Sequence, residues 1–157
     1  MVSGRSIHTV AAEAHAFCWD NALTPALECA SGDEIEFSVR DASGGQLGED
    51  STAADVATLD FSRVNPVSGP VFVKDARPGD VLQVDLLELR PRGFGWTAII
   101  PGFGLLADEF TEPWLRISTV DVGEGVRFGE RVRLPFRPFP ARLAGRRSRT
   151  RWTSSSG

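Results

Sequence analysis

Four polar side chains in the sequence are of types that can bind a metal, transfer a proton or hold a polar ligand: His15, Asp41, Gln46 and Asn65. Asp41 ends an alternating run and precedes a glycine pair, a position that suits a metal ligand or a general base. The same position suits an aspartate that caps a turn through its own backbone, and the residues alone leave both interpretations open. His15 alone is open in the same way, between a hydrogen-bonded surface histidine and a metal ligand.

Two of these side chains carry amides that can recognise another amide. The Gln46 side chain both donates and accepts hydrogen bonds, so it can position a substrate amide, or it is a solvated loop residue. Asn65 precedes Pro66, which favours an extended backbone, so a rigid Asn-Pro segment can hold its amide against a substrate or simply lead into a strand. Trp19 is predicted to be part of the core or of a pocket wall, and the loop that contains Trp96 suits the rim of a pocket.

The elements that position these residues are predicted to be short strands. Residues 71–74 and 81–86 alternate with period two around Pro78 and Gly79, which favours a hairpin closed by a type II turn. Residues 26–39 repeat the same plan around a Ser-Gly-Asp turn. The sequence therefore predicts an all-β fold, a distorted β-sandwich or barrel of paired hairpins with about eight to ten short strands.

One short helix is predicted within residues 48–61. Ser51 or Thr52 would cap it, with Asp55 as the acidic partner of a capping box. Further strands are predicted at 80–90, 114–120, 126–128 and 132–134, the last two forming a hairpin around Gly129. Residues 90–96 are predicted to be a loop.

Composition predicts a folded β domain over residues 1–140 and an Arg- and Ser-rich disordered tail over 141–157. The chain has 157 residues and 41% hydrophobic content, enough for a core, and its 16 glycines and 10 prolines disfavour long helices. Residues 1–140 carry a net charge of −9, whereas 141–157 carry five arginines and no acid. The acidic part would repel nucleic acid and the tail is too short to form a binding domain, so we expect no nucleic-acid partner.

Cysteine usage and hydropathy predict a cytoplasmic protein with free thiols. Cys18 and Cys29 do not form a CxxC motif. No apolar segment follows the first five residues, so no signal peptide is expected. No stretch approaches the roughly 20 apolar residues of a membrane span, so no membrane partner is expected either.

Several blocks of the sequence resemble the acetamidase/formamidase family. The principal block is Asn65-Pro66-Val67-Ser68-Gly69-Pro70-Val71, followed by Ala76-Arg77-Pro78-Gly79-Asp80-Val81-Leu82. Others are His15 with Trp19-Asp20-Asn21, Asp41-Ala42-Ser43-Gly44-Gly45-Gln46, and Gly95-Trp96-Thr97 through Pro101-Gly102-Phe103-Gly104-Leu105-Leu106. The resemblance extends over roughly residues 8–140, and five blocks in the same order are specific for the family.

The resemblance implies a hydrolase that converts a short aliphatic amide, formamide or acetamide, to a carboxylate and ammonia through an activated water. In that interpretation Asp41 is a base or metal ligand and His15 an acid or metal ligand, while Gln46 and Asn65 orient the substrate amide. It also implies a divalent metal such as zinc, with His15 and Asp41 as ligands, the other ligands elsewhere, and no organic cofactor.

Family members continue beyond the matched region with roughly as much chain again, and residues 141–157 do not resemble that continuation. We therefore expect a truncated chain, and the abrupt change near residue 140 favours a frameshift, which translation of the coding DNA in the other frames would test. The alternative function is a non-catalytic β-domain remnant that acts as a ligand-binding or self-associating module. Because such a remnant would expose apolar surface, a homo-oligomer or self-association is expected.

Overall fold

The computed structural model describes residues 6–20 and 22–140. These residues divide into two compact units, the first built from residues up to 42 and from 64–86, the second from 43–63 and 87–140. The predicted disordered tail, 141–157, lies outside the described residues. Within them, no helix is both long and apolar enough to cross a bilayer.

The first unit contains six short strands in three two-stranded sheets. They are β1 (Ile7–Val10), β2 (His15–Ala16), β3 (Leu27–Cys29), β4 (Glu34–Phe37), β5 (Val67–Ser68) and β6 (Val71–Val73). β1 pairs with β4 and β3 pairs with β6, both in parallel, whereas β2 and β5 are antiparallel. Val10 and Cys29 are the fully buried apolar residues described in this unit.

The hairpin predicted for residues 26–39 is wrong, although its turn is correct. Gly32 has a φ of +92°, and the Asp33 N–H donates to the Ala30 carbonyl at 3.3 Å. The Asp33 carboxylate, however, accepts hydrogen bonds from the Ser6 N–H and the His8 ring, at 3.4 and 3.1 Å. These bonds hold the start of β4 beside β1, so β3 takes β6 as its partner instead.

The hairpin predicted for residues 71–86 and the long strand at 80–90 are also wrong. The turn exists, since Gly79 has a φ of +107° and the Asp80 N–H donates to the Arg77 carbonyl at 3.0 Å. β6 uses its edge to pair with β3, and among the described residues no strand covers 80–92. The alternating pattern indicates which side chains share a face of a strand, but it does not identify the strand that pairs with it.

The second unit contains one α-helix, a 3₁₀ helix at Phe61–Arg63 and a four-stranded antiparallel sheet. Its α-helix and strands are α1 (Ala53–Ala57), β7 (Phe94–Ile99), β8 (Trp114–Asp121), β9 (Gly125–Phe128) and β10 (Val132–Leu134), and the order of strands in the sheet is β10-β9-β8-β7. The predicted helix, the strand at 114–120 and the final hairpin are thus confirmed, and β7 begins inside the predicted loop. The all-β prediction is confirmed, and the four described sheets do not close into a barrel.

Local chemistry explains the helix and the tight end of this sheet. The Asp55 carboxylate accepts hydrogen bonds from the Thr52 N–H and hydroxyl at 2.7 and 3.0 Å, and the bond from the N–H is the one that the predicted capping box requires. α1 packs on β7 and β8 and buries Val56, which is 1% exposed. At the β9 start, a Cβ atom on Gly125 would collide with the Leu134 carbonyl oxygen.

Candidate functional site

His15 is held in a defined orientation by the backbone before it. β2 pairs with β5, which places His15 opposite Ser68. The His15 Nδ1 lies 2.8 Å from the carbonyl oxygen of Ala12, and its ring packs edge-on against Phe17 with centroids 5.2 Å apart. Because a carbonyl can only accept, Nδ1 carries the proton and the neutral ring keeps its lone pair on Nε2. His15 therefore presents a base or a ligand atom at Nε2.

Asn65 adopts a left-handed backbone, not the extended one expected before proline. Its φ is +52°, and its N–H donates to the Ala42 carbonyl at 2.7 Å. Asparagine tolerates this region better than other residues with a Cβ, which explains its presence here. The Asn65 side chain is exposed and so is accessible to a small molecule.

A cavity of about 180 Å³ opens beside Asn65. It is lined by Phe17, Cys18, Trp19, Val64, Asn65 and Val67. All six belong to the first unit, and the β2–β5 pairing brings their two segments together. The volume is below the roughly 300–1,000 Å³ of pockets for drug-sized ligands, so it suits a small molecule.

Asp41 lies in the same unit, next to two hydrogen bonds that tie the first unit together. The preceding residue, Arg40, donates from Nε to the Ala12 carbonyl at 3.3 Å, the same oxygen that accepts from His15. The following residue, Ala42, accepts from the Asn65 N–H. Hydrogen bonds to the carbonyls of Ala12 and Ala42 thus connect the segments that carry His15, Asp41 and Asn65.

Gln46 belongs to the second unit, where its amide holds a loop closed. Its Nε2 donates to the carbonyls of Ser43 and Asp60 at 2.7 and 3.1 Å, and its Oε1 accepts from the Asp60 N–H at 2.9 Å. Both amide hydrogens are therefore occupied, and one acceptor lone pair remains. Trp96 also lies in the second unit, in β7, and is not among the residues that line the cavity.

The loop closed by Gln46 ends in a carboxylate with a perturbed pKa. The Ser62 hydroxyl donates to Asp60 Oδ1 at 2.6 Å and the Ser62 N–H to the same oxygen at 2.9 Å. These hydrogen bonds, the hydroxyl first, lower the pKa of the Asp60 carboxyl. The Asp60 carboxylate thus stabilises a turn, and its Oδ1 is already hydrogen-bonded to Ser62.

The donor set for a metal is incomplete in the described part of the chain. No group of three or more His, Cys, Asp or Glu side chains there is arranged to hold a metal ion. The other histidine, His8, is committed to Asp33. His15 and Asp41 alone do not form a site, because protein zinc sites use three or four protein ligands.

The sequence interpretation missed four of the six cavity residues: Phe17, Cys18, Val64 and Val67. Their signal was their position near residues already identified, since Phe17 and Cys18 lie between His15 and Trp19, and Val64 and Val67 lie on either side of Asn65. Cys18 is an exposed free thiol on the cavity wall, whereas Cys29 is buried. Burial raises the pKa of the Cys29 thiol, with nearby Asp33 adding to the effect, so Cys29 is the less reactive type of cysteine.

Comparisons with a family model and with curated proteins both identify the acetamidase/formamidase family. The model of the Acetamidase/Formamidase family matches residues 5–139. A formamidase of Methylophilus methylotrophus is 39% identical over 87 residues, which cover 52% of this chain and 21% of the relative. An acetamidase of Mycolicibacterium smegmatis is 29% identical over 112 residues, which cover 63% of this chain and 28% of that protein.

A comparison with solved structures identifies the same family. The crystal structure of a protein described as a predicted acetamidase/formamidase from Thermoanaerobacter tengcongensis superposes with a TM-score of 0.74 and 30% identity over 84% of this chain. The match covers 43% of that structure. The chain thus spans less than half the length of the proteins it matches.

Proposed function

Since the chain belongs to the acetamidase/formamidase family, we propose that it acts in the hydrolysis of a short aliphatic amide, formamide or acetamide, to a carboxylate and ammonia. The observation that carries the proposal is the small cavity that Asn65 lines together with Phe17 and Trp19. A primary amide with one or two carbons fits such a cavity, and the Asn65 side chain can exchange hydrogen bonds with it.

The reaction adds water to the carbonyl carbon and then breaks the C–N bond. His15 Nε2 takes a proton from the attacking water, and the resulting imidazolium returns a proton to the departing nitrogen, which leaves as ammonia. The Nδ1–H bond to Ala12 keeps the ring in the tautomer that this base requires. The Asn65 NH2 group donates to the oxygen on which negative charge develops.

Asp41 is the second candidate base, because a carboxylate at this position can accept the same proton. Gln46 and Trp96 belong to the second unit, and their roles as an amide-orienting residue and a pocket wall stay predictions from the family resemblance. The contacts of Gln46 support a role in holding its loop closed.

A divalent metal such as zinc stays a proposal and carries no step here. His15 can offer Nε2 and Asp41 a carboxylate, but the described residues do not complete the donor set. A metal held by these two side chains would need further ligands from outside the described residues. When bound, it would supply a Lewis acid to the carbonyl group.

A cytoplasmic location is likewise part of the proposal. Both cysteines are free in the structure, one exposed and one buried. An exposed thiol on the wall of a binding cavity is compatible with a reducing compartment.

The test is ammonia release from formamide and acetamide by the folded chain, with and without zinc. His15→Asn keeps a donor for the Ala12 carbonyl and removes the Nε2 base, and Asn65→Gly keeps the left-handed backbone and removes the amide. Asp75→Gly is the control, because Asp75 also has a positive φ, of +63°, and does not line the cavity.

We expect turnover that falls in His15→Asn and in Asn65→Gly and does not fall in Asp75→Gly. Turnover unchanged in His15→Asn and lost in Asp41→Asn would transfer the role of base to Asp41. Absence of turnover in a chain shown by circular dichroism to be folded, under both metal conditions, would overturn the proposal for this chain.

A further inference from the structure

Residues 81–86, in the first unit, expose apolar side chains and leave their backbone unpaired. Val81, Leu82, Val84 and Leu86 are 67%, 38%, 42% and 52% exposed. Among the described residues, no backbone hydrogen bond to or from 81–86 is formed. Unpaired N–H and C=O groups next to exposed apolar side chains are a template for pairing with another strand.

The side chains of this segment have a two-sided pattern. Leu82, Val84 and Leu86 occupy alternate positions, and Gln83 and Asp85 lie between them. In an extended backbone the first three share one face and the last two the other. The segment is thus a strand by sequence that has no strand partner within the described chain.

We propose that residues 81–86 pair with the same residues of a second copy of this chain, antiparallel, with the two-fold axis at Val84. This register places Val84 opposite Val84 of the second copy and Leu82 opposite its Leu86, so one face is continuously apolar. On the other face Gln83 lies opposite Asp85, and an amide can donate to a carboxylate. Within one chain Gln83 Nε2 already donates to Asp85 Oδ1 at 3.0 Å.

The positions of the carboxylates and of the apolar side chains favour this register over other ways of pairing the two segments. Parallel in-register pairing, or an antiparallel axis at Asp85, would set the Asp85 carboxylates of the two copies against each other. An axis at Gln83 would set Leu86 opposite Asp80, and an axis between Gln83 and Val84 would set Leu82 opposite Asp85. Only the axis at Val84 keeps apolar residues together and like charges apart over 82–86.

The same register also limits the ladder. Two positions beyond Leu86, Glu88 would lie opposite Asp80 of the second copy, where two carboxylates repel. The pairing therefore ends after Val81 and its partner Leu87. Because so short a two-stranded ladder is marginal in water, we expect a reversible, concentration-dependent dimer. This association does not depend on the proposed catalytic function.

Disulfide trapping tests the register directly. In an antiparallel pair the opposed Cα atoms are about 4.5–5.5 Å apart, within the roughly 4.4–6.8 Å that a disulfide spans. In a Cys18→Ser background, which removes the exposed native thiol, Val84→Cys should form a covalent dimer on mild oxidation. Gln83→Cys and Asp85→Cys should not, because neither faces its own copy. A mixture of Leu82→Cys and Leu86→Cys chains should form the mixed dimer.

Sedimentation velocity over a concentration series measures the same association without cysteines. Val84→Pro removes an N–H and should abolish the dimer, whereas Val84→Thr keeps the strand propensity and should retain it. Equal trapping of Val84→Cys and Gln83→Cys would mean random collision and overturn the proposal. A native chain that stays monomeric at every concentration, or a dimer that survives Val84→Pro, would overturn it as well.

Discussion

The side chain of Gln46 and the backbone of Asp60 form a reciprocal pair of hydrogen bonds. Gln46 Nε2 donates to the Asp60 carbonyl at 3.1 Å, and the Asp60 N–H donates back to Gln46 Oε1 at 2.9 Å. The Gln46 amide thus satisfies both the N–H and the carbonyl of Asp60, as a neighbouring strand would, although Asp60 lies outside the strands. The residues between them include the whole of α1, so this pair closes the loop that carries the helix.

Replacement of Gln46 with alanine should destabilise the protein by about 1.5–4.5 kcal/mol, since three hydrogen bonds are lost at about 0.5–1.5 kcal/mol each. The measurement is the urea midpoint with an unchanged m-value. Gln83→Ala is the matched control, because the Gln83 amide bonds to an exposed aspartate two residues away. Equal midpoints for the two variants would contradict a loop-closing role.

Asn65 should tolerate glycine and reject valine. A residue with a Cβ loses about 1–2 kcal/mol in the left-handed region, and β-branched residues fit it worst. Asn65→Val should therefore lower the free energy of unfolding by at least that amount, whereas Asn65→Gly should be near neutral. Thr119→Val, at an exposed strand position, supplies the control for valine itself. A neutral Asn65→Val would mean that the backbone at this position is not left-handed in solution.

Replacement of Val56 with alanine should destabilise the protein more than the same replacement of Val122. Val56 is 1% exposed and belongs to α1, whereas Val122 is 65% exposed in a turn. Val56→Ala removes two methyl groups from a packed interior and should cost about 2 kcal/mol. Val122→Ala should change stability by less than about 0.5 kcal/mol. Thermal unfolding of both variants measures the difference, and similar melting temperatures would show that α1 does not bury Val56.

Asp33 should make stability depend on pH in the acidic range. Its pKa is lowered by the hydrogen bond from the Ala30 N–H and, next, by that from His8. A lowered carboxyl pKa contributes stability above the ordinary value of about 3.9, and the contribution disappears as pH falls through the folded-state pKa. Asp33→Asn should therefore be less stable than the native chain at pH 7, with a difference that shrinks below about pH 4.

Urea midpoints from pH 3 to 7 measure this effect. Asp108→Asn is the control, because it removes an exposed carboxylate that has no hydrogen bond within the described residues. A difference between native and Asp33→Asn chains that stays constant with pH would assign the loss to hydrogen-bond geometry alone.

Local signals in the sequence predicted the local parts of the fold. Thr52 and Asp55 marked the start of α1, and the alternation of 114–120 marked β8, because both depend on neighbours a few residues away. The pairing of β3 with β6 has no such signal, since Leu27 and Val71 meet only through the tertiary structure. For the same reason the alternation at 81–86 predicted a strand for which the described chain has no partner.

The candidate site was predictable to a similar extent. Residue type identified His15 and Asn65, and the structure adds the neighbours that orient them, Ala12 and Ala42. These partners contribute backbone carbonyls, which every residue type possesses, so no side-chain pattern indicates them. Gln46 was identified as an amide donor and acceptor, but the groups that it contacts are also backbone atoms.

The different connectivities of the two sheet types have a consequence for the order of folding. β7 to β10 follow one another along the chain and pair with sequence neighbours, whereas β3 and β6 must close a long loop before any hydrogen bond forms. Loop closure costs entropy that local pairings avoid, so the meander should gain protection from hydrogen exchange first and the parallel pairs last.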